Sequence, residues 1–200
     1  AAAPPLPFFL WVHYYDPHAP YEPQGDFAAR FRTAPYDGEV AWSDELVGRL
    51  DAALRSTNLG DDTLFIVTSD NGEGLDEHEE AVHGFFVYES TLAVPLLMRG
   101  PGIVPGTRLK AVTRTVDIMP TVLDLLGLAA QTPTVSGGSL AAAMRGAPQD
   151  EEPTFAESLV PLVHYGWSDL RAVRDGRWKF ILAPRPELYD LGQDPHERQN

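Results

Sequence analysis

The residues with the clearest potential for chemistry are Asp70 and Asn71, which directly follow the apolar run from Thr63 to Val67 and two polar residues. This pattern predicts a strand from Thr63 to Ser69 that ends just before the two side chains. Open α/β sheets bind their ligands at the carboxyl edge of the strands. A carboxylate beside an amide oxygen at that edge suits a hard cation, so we predict that Asp70 and Asn71 bind Ca²⁺ or another divalent cation.

The loop after Asp70 is strongly acidic, with five further Asp or Glu residues before His83 and no Lys or Arg. Such a loop would repel an anionic substrate unless a bound cation reversed the local charge. A solvated acidic loop is the alternative interpretation. An EF-hand is excluded, because its loop needs oxygen-bearing side chains at the third and fifth positions, which here are Gly72 and Gly74.

The apolar segment Pro7–Val12 predicts a short strand, and a second group of polar residues follows it. His13 and His18 lie beyond it, in a loop where Pro17 and Pro20 restrict the backbone and cannot continue a ladder of hydrogen bonds. Because these prolines frame His18, that histidine is the better candidate for a site residue, and His13 would orient or pack. An ordinary surface histidine is the alternative.

The elements that must position these residues follow from periodicity and turn signals. A helix is predicted from Tyr36 to Ser56, with apolar residues at helical spacing, after a long loop that could shape a substrate entrance. The further predictions are a strand at Val94–Met98, a helix at Val116–Leu126, a surface excursion at Ala129–Pro153, a hairpin turning at Asp175-Gly176 and a strand at Glu187–Asp190. Asp117 and Asp124 are interpreted as helix caps or partners of the helix dipole, and Arg174 and Lys179 as surface or packing residues.

Composition excludes several classes of protein. The chain has 200 residues, 44% of them hydrophobic, without an apolar run long enough for a membrane span. A formal net charge of -14 argues against nucleic acid as a partner, because binding to phosphates needs clustered Lys and Arg. The absence of cysteine excludes disulfides and thiolate metal sites.

The chain resembles the sulfatases of the alkaline phosphatase superfamily through motifs that occur in family order along nearly its whole length. They are F-F-L-W-V-H-Y-Y-D-P-H-A-P-Y from Phe8, Y-D-G-E-V-A-W from Tyr36, T-S-D-N-G-E-G from Thr68, H-G-F-F-V-Y-E-S-T-L-A-V-P from His83, V-D-I-M-P-T-V-L-D-L-L-G from Val116 and E-L-Y-D-L-G-Q-D-P-H-E from Glu187. The resemblance implies part of an α/β, alkaline phosphatase-like sheet flanked by helices, with a small C-terminal antiparallel β subdomain. Residues 1–150 would belong to the catalytic α/β domain and residues 151–200 to the subdomain.

The resemblance also implies roles for single residues. Asp70 and Asn71 match ligands of the active-site metal, usually calcium. His18 matches the histidine that contacts the sulfate or the leaving oxygen, and His83 lies where related enzymes place a Lys or His against the sulfate group. A metal and cationic side chains would stabilise charge on the sulfate oxygens, and an imidazole could protonate the departing alkoxide.

Two family features have no match in the sequence. One is the motif of the C/S-x-P-x-R type, whose first residue becomes formylglycine, and the other is the amino-terminal Asp-Asp pair of the metal site. We therefore expect the chain to be the carboxyl-terminal portion of a longer enzyme, with formylglycine in a missing amino-terminal segment. The 200 residues alone should be inactive.

The expected function is metal-dependent hydrolysis of sulfate esters, in which this chain supplies part of the metal site and the leaving-group side. A phosphodiester or phosphonate monoester hydrolase of the same superfamily and a noncatalytic sulfatase-like module are the alternatives. A sulfated small molecule or carbohydrate is the expected substrate, with no nucleic acid and no membrane span. The resemblance points to a periplasmic or extracellular location, which the residues themselves do not establish, and the oligomeric state stays open.

Overall fold

The computed structural model describes residues 7–131 and 133–200, which form two compact units divided after Thr63. The helices are α1 (Asp26–Arg30), α2 (Pro35–Ser56), α3 (Glu89–Leu92), α4 (Ile118–Leu125), α5 (Ala141–Met144) and α6 (Val160–Tyr165). The strands are β1 (Phe65–Thr68), β2 (Leu96–Arg99), β3 (Thr154–Ser158), β4 (Leu170–Asp175), β5 (Trp178–Leu182) and β6 (Glu187–Asp190). No helix among the described residues is both long and apolar enough to cross a membrane.

The first unit is built on helix α2, as the apolar spacing predicted. The helix begins at Pro35, a residue suited to the first turn because its φ is preset and its missing N–H is not needed there. Buried Glu39 on this helix accepts hydrogen bonds from the backbone N–H groups of His18, at 3.0 Å, and of Glu22, at 2.6 Å. Hydrogen bonds to a charged group contribute about 1.5–3 kcal/mol each, so helix α2 holds the loop at His18 firmly.

The strand predicted for Pro7–Val12 is wrong, because the described part of this segment contains no strand. Phe9 and Trp11 are 86% and 77% exposed. A strand forms only where a neighbouring backbone pairs with its N–H and C=O groups, and no described segment pairs with this one. The apolar residues of this segment are typical of a strand, but the backbone hydrogen bonds to a neighbouring strand are not formed.

The second unit begins with a two-stranded antiparallel sheet of β1 and β2. Both strands were predicted, and they pair with Phe65 opposite Arg99 and Thr68 opposite Leu96. Strand β1 ends at Thr68, two residues before Asp70 and one residue earlier than the sequence predicted. Its one neighbour among the described residues is β2, which is antiparallel.

The carboxyl-terminal strands form a four-stranded antiparallel sheet in the order β3-β4-β5-β6. The predicted hairpin is confirmed, since Asp175 pairs with Trp178 and Gly176 adopts a φ of 56° in the two-residue turn. One face of the sheet carries Leu170, Ala172, Ile181 and Tyr189, which pack with Val87 into the hydrophobic core of this unit. The sheet occupies much of the range 151–200, and the proposed domain boundary after residue 150 stays a prediction.

Between the two sheets, helix α4 confirms the predicted helix, and Asp117 stands at its N-cap position without a side-chain hydrogen bond to the helix. The carboxylate of Asp117 accepts hydrogen bonds from the backbone and side chain of Arg114 and from Gly138 N. Burial alone would raise the pKa of Asp117, but these hydrogen bonds outweigh it and lower the pKa. The predicted surface excursion from Ala129 to Pro153 is wrong in part, because the residues from Leu140 to Met144 are largely buried in and before helix α5.

A buried ion cluster joins helix α3 to the carboxyl-terminal sheet. Lys179 is only 1% exposed, and its Nζ lies 3.0 Å from Glu89 Oε1 and 2.8 Å from Glu197 Oε1. Arg174 completes the cluster, with its guanidinium 2.7 Å from Glu89 Oε2. The interpretation of Lys179 and Arg174 as packing residues fits this position.

Candidate active site

Three of the four predicted site residues line one cavity of about 330 Å³ in the second unit: Asp70, Asn71 and His83. Asp70 and Asn71 reach it from the end of β1, and His83 reaches it from the far end of the acidic loop. Thr91 from helix α3 and Glu157 from strand β3 also line the cavity. Three stretches of the unit, which are far apart in the sequence, thus contribute to one concave surface, which is the usual form of a small-molecule site.

Short hydrogen bonds orient the two predicted metal ligands. Asp70 Oδ1 accepts a hydrogen bond from Asn71 N at 3.1 Å, and Asn71 Nδ2 donates to Gly72 O at 2.8 Å. Ser69 Oγ donates to Asn71 O at 2.7 Å and fixes the same turn from the other side. Because the amide nitrogen of Asn71 is committed to backbone, its Oδ1 is the atom available as a ligand.

Two glycines bring this loop close to neighbouring backbone. Gly72 N donates to Thr91 O at 2.9 Å, and Gly74 N donates to Val82 O at 2.7 Å. A Cβ atom at either glycine would collide with a backbone carbonyl oxygen across the loop. The position of Asp70 and Asn71 therefore depends on the absence of a side chain at residue 72.

We expect the substitution Gly72→Ala to destabilise the protein by about 1–3 kcal/mol, because overpacking against rigid backbone forces the chain to shift. Gly48→Ala is the matched control, since a Cβ there meets no atom within 4 Å and residue 48 lies within helix α2. The control should gain about 0.5–1 kcal/mol of stability. Urea denaturation of both variants of the full-length gene product measures the difference, and an unchanged Gly72→Ala variant would contradict the close packing.

A buried carboxylate, which the sequence did not single out as a site residue, holds His83. Glu73 Oε1 lies 3.2 Å from His83 Nδ1, and the Glu73 side chain is buried. An N–H at Nδ1 would donate to this carboxylate, so the contact fixes the orientation of the ring. The sequence shows that the loop is acidic, but nothing in the sequence distinguishes Glu73 from the solvated acidic residues around it.

A second buried acid of the same loop fixes the backbone that follows His83. Glu80 accepts hydrogen bonds from Phe85 N at 2.7 Å and from Phe86 N at 3.3 Å. The interpretation of the whole loop as solvated is therefore wrong for Glu73 and Glu80, which are both buried. Opposite this backbone, Ser158 Oγ donates to Gly84 O at 3.2 Å and ties strand β3 to the cavity wall.

The chemistry of Asp70 and Asn71 fits a hard divalent cation, since both offer oxygen donors at the same cavity. Ca²⁺ takes 6–8 oxygen ligands, so two side chains can supply only part of a calcium site. Within residues 7–131 and 133–200, no group of three or more His, Cys, Asp or Glu side chains forms a metal cluster. The assignment of Asp70 and Asn71 as metal ligands stays a prediction.

His18, the fourth predicted site residue, belongs to the first unit. Its Nδ1 lies 2.7 Å from Ala19 O, and its ring stacks on Tyr15 with 4.4 Å between the ring centroids. Together with the bond from its backbone N–H to Glu39, these contacts fix both the ring and its tautomer. Its action on the same substrate as His83 stays a prediction, and His13 is exposed.

Comparison with known proteins assigns the family. A family model described as Sulfatase matches residues 2–128, and one described as N-sulphoglucosamine sulphohydrolase, C-terminal, matches residues 81–200. The chain belongs to the sulfatase family. This finding confirms the resemblance drawn from the motifs.

Individual relatives agree with this assignment. Arylsulfatase K of Mus musculus is 34% identical over 176 residues, which cover 82% of this chain and 31% of that protein. Choline-sulfatase of Rhizobium meliloti (strain 1021) is 36% identical over 169 residues, which cover 82% of this chain and 32% of that protein. The chain thus spans about a third of the length of the curated relatives it matches.

Solved structures confirm the predicted fold class. The phosphonate monoester hydrolase of Agrobacterium radiobacter superposes with a TM-score of 0.70 and 30% identity over 88% of this chain and 37% of that chain. The fold is the alkaline phosphatase-like α/β fold, here with its carboxyl-terminal antiparallel sheet.

Proposed function

We propose that the protein hydrolyses sulfate esters with the help of a bound divalent cation, and that this chain supplies part of the metal site and the leaving-group side of the pocket. The observation that carries the proposal is that Asp70, Asn71 and His83 line one cavity. Membership of the sulfatase family and the similarity to an arylsulfatase and a choline-sulfatase support the reaction class.

Asp70 and Asn71 would hold the cation, which we propose to be Ca²⁺, through the carboxylate and the amide oxygen. When bound, such an ion stabilises negative charge on the nonbridging oxygens of the sulfate group. The bond from Asn71 Nδ2 to Gly72 O orients the amide before any ion binds. Preorganised ligands of this kind cost no rearrangement at the moment of reaction.

His83 is proposed to contact the sulfate oxygens and to stabilise the charge that develops there. The buried carboxylate of Glu73, at 3.2 Å from Nδ1, keeps the ring in place. A hydrogen-bond donor close to a developing oxyanion gives electrostatic stabilisation of the transition state. Glu73 is thus a positioning residue that acts through His83.

His18 is proposed to contact the sulfate or the leaving oxygen, where an imidazole can give a proton to the departing alkoxide. Its Nδ1 is engaged by Ala19 O, so Nε2 is the nitrogen suited to this proton transfer. The chain contains no C/S-x-P-x-R motif, so we assign the nucleophilic step to none of its residues. Formylglycine is the nucleophile that the family membership leads us to expect.

Hydrolysis of phosphonate monoesters is the second candidate, favoured by the similarity to the phosphonate monoester hydrolase. A tetrahedral oxyanion bound by a metal and by imidazoles does not distinguish sulfur from phosphorus through these contacts alone. Both esters carry a single negative charge, but the sulfate ester has three nonbridging oxygens and the phosphonate monoester has two and a carbon substituent, so transition-state binding decides between them.

The two candidates are separated by comparing 4-nitrophenyl sulfate with 4-nitrophenyl phenylphosphonate as substrates of the full-length gene product in the presence of calcium. We expect kcat/KM to be higher for the sulfate by at least about tenfold, which corresponds to roughly 1.4 kcal/mol of preferential transition-state binding. The reverse order would establish the phosphonate reaction in its place. Calcium binding without turnover of either ester would indicate a noncatalytic module.

A further inference from the structure

The acidic loop, which connects the two metal-ligand candidates to His83, has a tip with an unfavourable backbone conformation. Four residues of this tip, none of them glycine, have left-handed φ angles: Leu75 at 48°, Asp76 at 67°, His78 at 54° and Glu79 at 65°. A residue with a Cβ atom adopts this conformation at a cost in free energy, so it persists where surrounding contacts impose it. The tip, residues 75–79, therefore needs anchors outside the loop.

His78 supplies an anchor, because its side chain contacts two segments outside the loop. Its Nε2 lies 3.0 Å from the backbone oxygen of His196, in the segment that follows strand β6. A carbonyl oxygen only accepts hydrogen bonds, so Nε2 carries the proton and donates it. The ring also stacks on Tyr88, with 3.6 Å between ring centroids and 10° between ring planes.

Both segments that His78 contacts are themselves fixed. Tyr88 packs against the hydrophobic core of the unit, and its hydroxyl donates to Glu187 Oε2 at 2.9 Å. Glu197, the residue after His196, is buried, and its Oε1 lies 2.8 Å from Lys179 Nζ. His78 thus joins the tip of the loop to well-packed parts of the protein.

Glu80 connects this anchor to the backbone beside His83. It follows His78 by two residues, and both its backbone N–H and its backbone C=O are hydrogen-bonded within the loop. Its buried carboxylate accepts hydrogen bonds from Phe85 N at 2.7 Å and from Phe86 N at 3.3 Å. A shift of the tip would therefore move Glu80 and, with it, the backbone that carries His83.

We propose that His78 is a positioning residue for the reaction, which anchors the acidic loop so that His83 faces the cavity. The proposal rests on the proposed function, because that function assigns His83 to the sulfate oxygens. Asp70 and Asn71 depend less on this anchor, since Ser69 and the close packing of Gly72 hold their turn. Loss of the anchor should thus affect the step that uses His83 and spare calcium binding.

The substitution His78→Asn in the full-length gene product tests the proposal. Asn also tolerates the left-handed conformation, so the variant removes the side-chain contacts without adding backbone strain. We expect kcat for 4-nitrophenyl sulfate to fall about tenfold, since a misplacement of about 1 Å can cost up to about 100-fold in rate. Calcium affinity, measured by isothermal titration, should stay the same. An unchanged kcat, or an equal loss of calcium affinity, would overturn the proposal.

A double-mutant cycle shows whether His78 acts through His83. In a protein that already carries His83→Ala, the further change His78→Asn should leave kcat unchanged, because the group that it positions is gone. A further tenfold loss in that background would overturn the role of His78 as a positioning residue.

Two other variants separate the contacts of His78 from a general effect of mutation. His78→Gln should recover part of kcat, because the amide nitrogen of Gln can donate to His196 O in place of Nε2. His164→Asn is the matched control, since His164 is an exposed histidine on helix α6, outside the acidic loop. A control that loses as much activity as His78→Asn would overturn the proposal.

Hydrogen exchange tells failure of this proposal apart from failure of the proposed function, because it needs no turnover. The amides of Phe85 and Phe86 report on the loop directly, since both donate to Glu80. We expect His78→Asn to speed their exchange by about tenfold through local opening of the loop. Unchanged exchange would overturn the anchor whether or not a sulfate ester is hydrolysed. Faster exchange in a protein that hydrolyses no sulfate ester would support the anchor and overturn the proposed function alone.

Discussion

Replacement of Asp70 by Ala is expected to remove calcium binding and to lower kcat/KM for an aryl sulfate by at least about 100-fold. A metal ion supplies several kcal/mol of charge stabilisation in the transition state, and about 2.7 kcal/mol corresponds to 100-fold. The Asp70 side chain is exposed, and its hydrogen bond goes to the adjacent Asn71 N. The substitution should therefore change stability by no more than about 0.5 kcal/mol.

Two further variants make this expectation specific to the site. Asn71→Ala should lower calcium affinity and turnover in the same direction, because it removes the second oxygen donor at the cavity. Asp61→Ala is the matched control, since Asp61 is an exposed acid outside the cavity. Isothermal titration with calcium and initial rates are measured on the full-length gene product. Normal calcium content and normal turnover in both site variants would contradict the assignment.

The second large effect is on stability: we expect Lys179→Ala to lower the free energy of unfolding by about 3–5 kcal/mol. Removing one partner of a buried ion pair leaves an uncompensated charge in a poorly solvated place. Here two carboxylates, those of Glu89 and Glu197, would lose a shared cation within 3.0 Å. Because domains are stable by only about 5–15 kcal/mol, the loss should be visible in any equilibrium unfolding experiment.

The protein offers a simple control, because Lys110 is its other lysine and is exposed. Lys110→Ala should change the free energy of unfolding by less than about 0.5 kcal/mol. The double variant Lys179→Met with Glu197→Gln should recover part of the loss, since one negative charge leaves with the positive one. Equal stability of the Lys179→Ala and Lys110→Ala variants would show that the cluster does not hold helix α3 against the sheet.

The elements set by local interactions could be predicted from the sequence. Helix α2 follows from the spacing of its apolar residues, and the hairpin of β4 and β5 follows from the turn at Asp175-Gly176. The strand predicted at Pro7–Val12 is absent, because strands depend on pairing with distant segments. Leu140–Met144 shows the same dependence on distant contacts. The sequence predicted a surface excursion there, but tertiary packing buries most of these residues.

The candidate site was predictable where it depends on the end of one strand, and less so where it depends on the path of a loop. Asp70 and Asn71 follow β1 as expected. The contact between Glu73 and His83, ten positions apart, requires the acidic loop to fold back on itself. The loop folds back through residues in the left-handed backbone conformation, including Leu75 with a φ of 48° and Asp76 with a φ of 67°. The residue types at these positions do not predict that conformation.

The position of the cation tests the central claim most directly. A crystal structure of the full-length gene product grown with calcium, analysed by anomalous diffraction, would locate the ion. The claim predicts an anomalous peak about 2.3–2.6 Å from the side-chain oxygens of Asp70 and Asn71, with His83 facing the same cavity. A calcium ion bound elsewhere, with both side chains turned away from it, would contradict the claim.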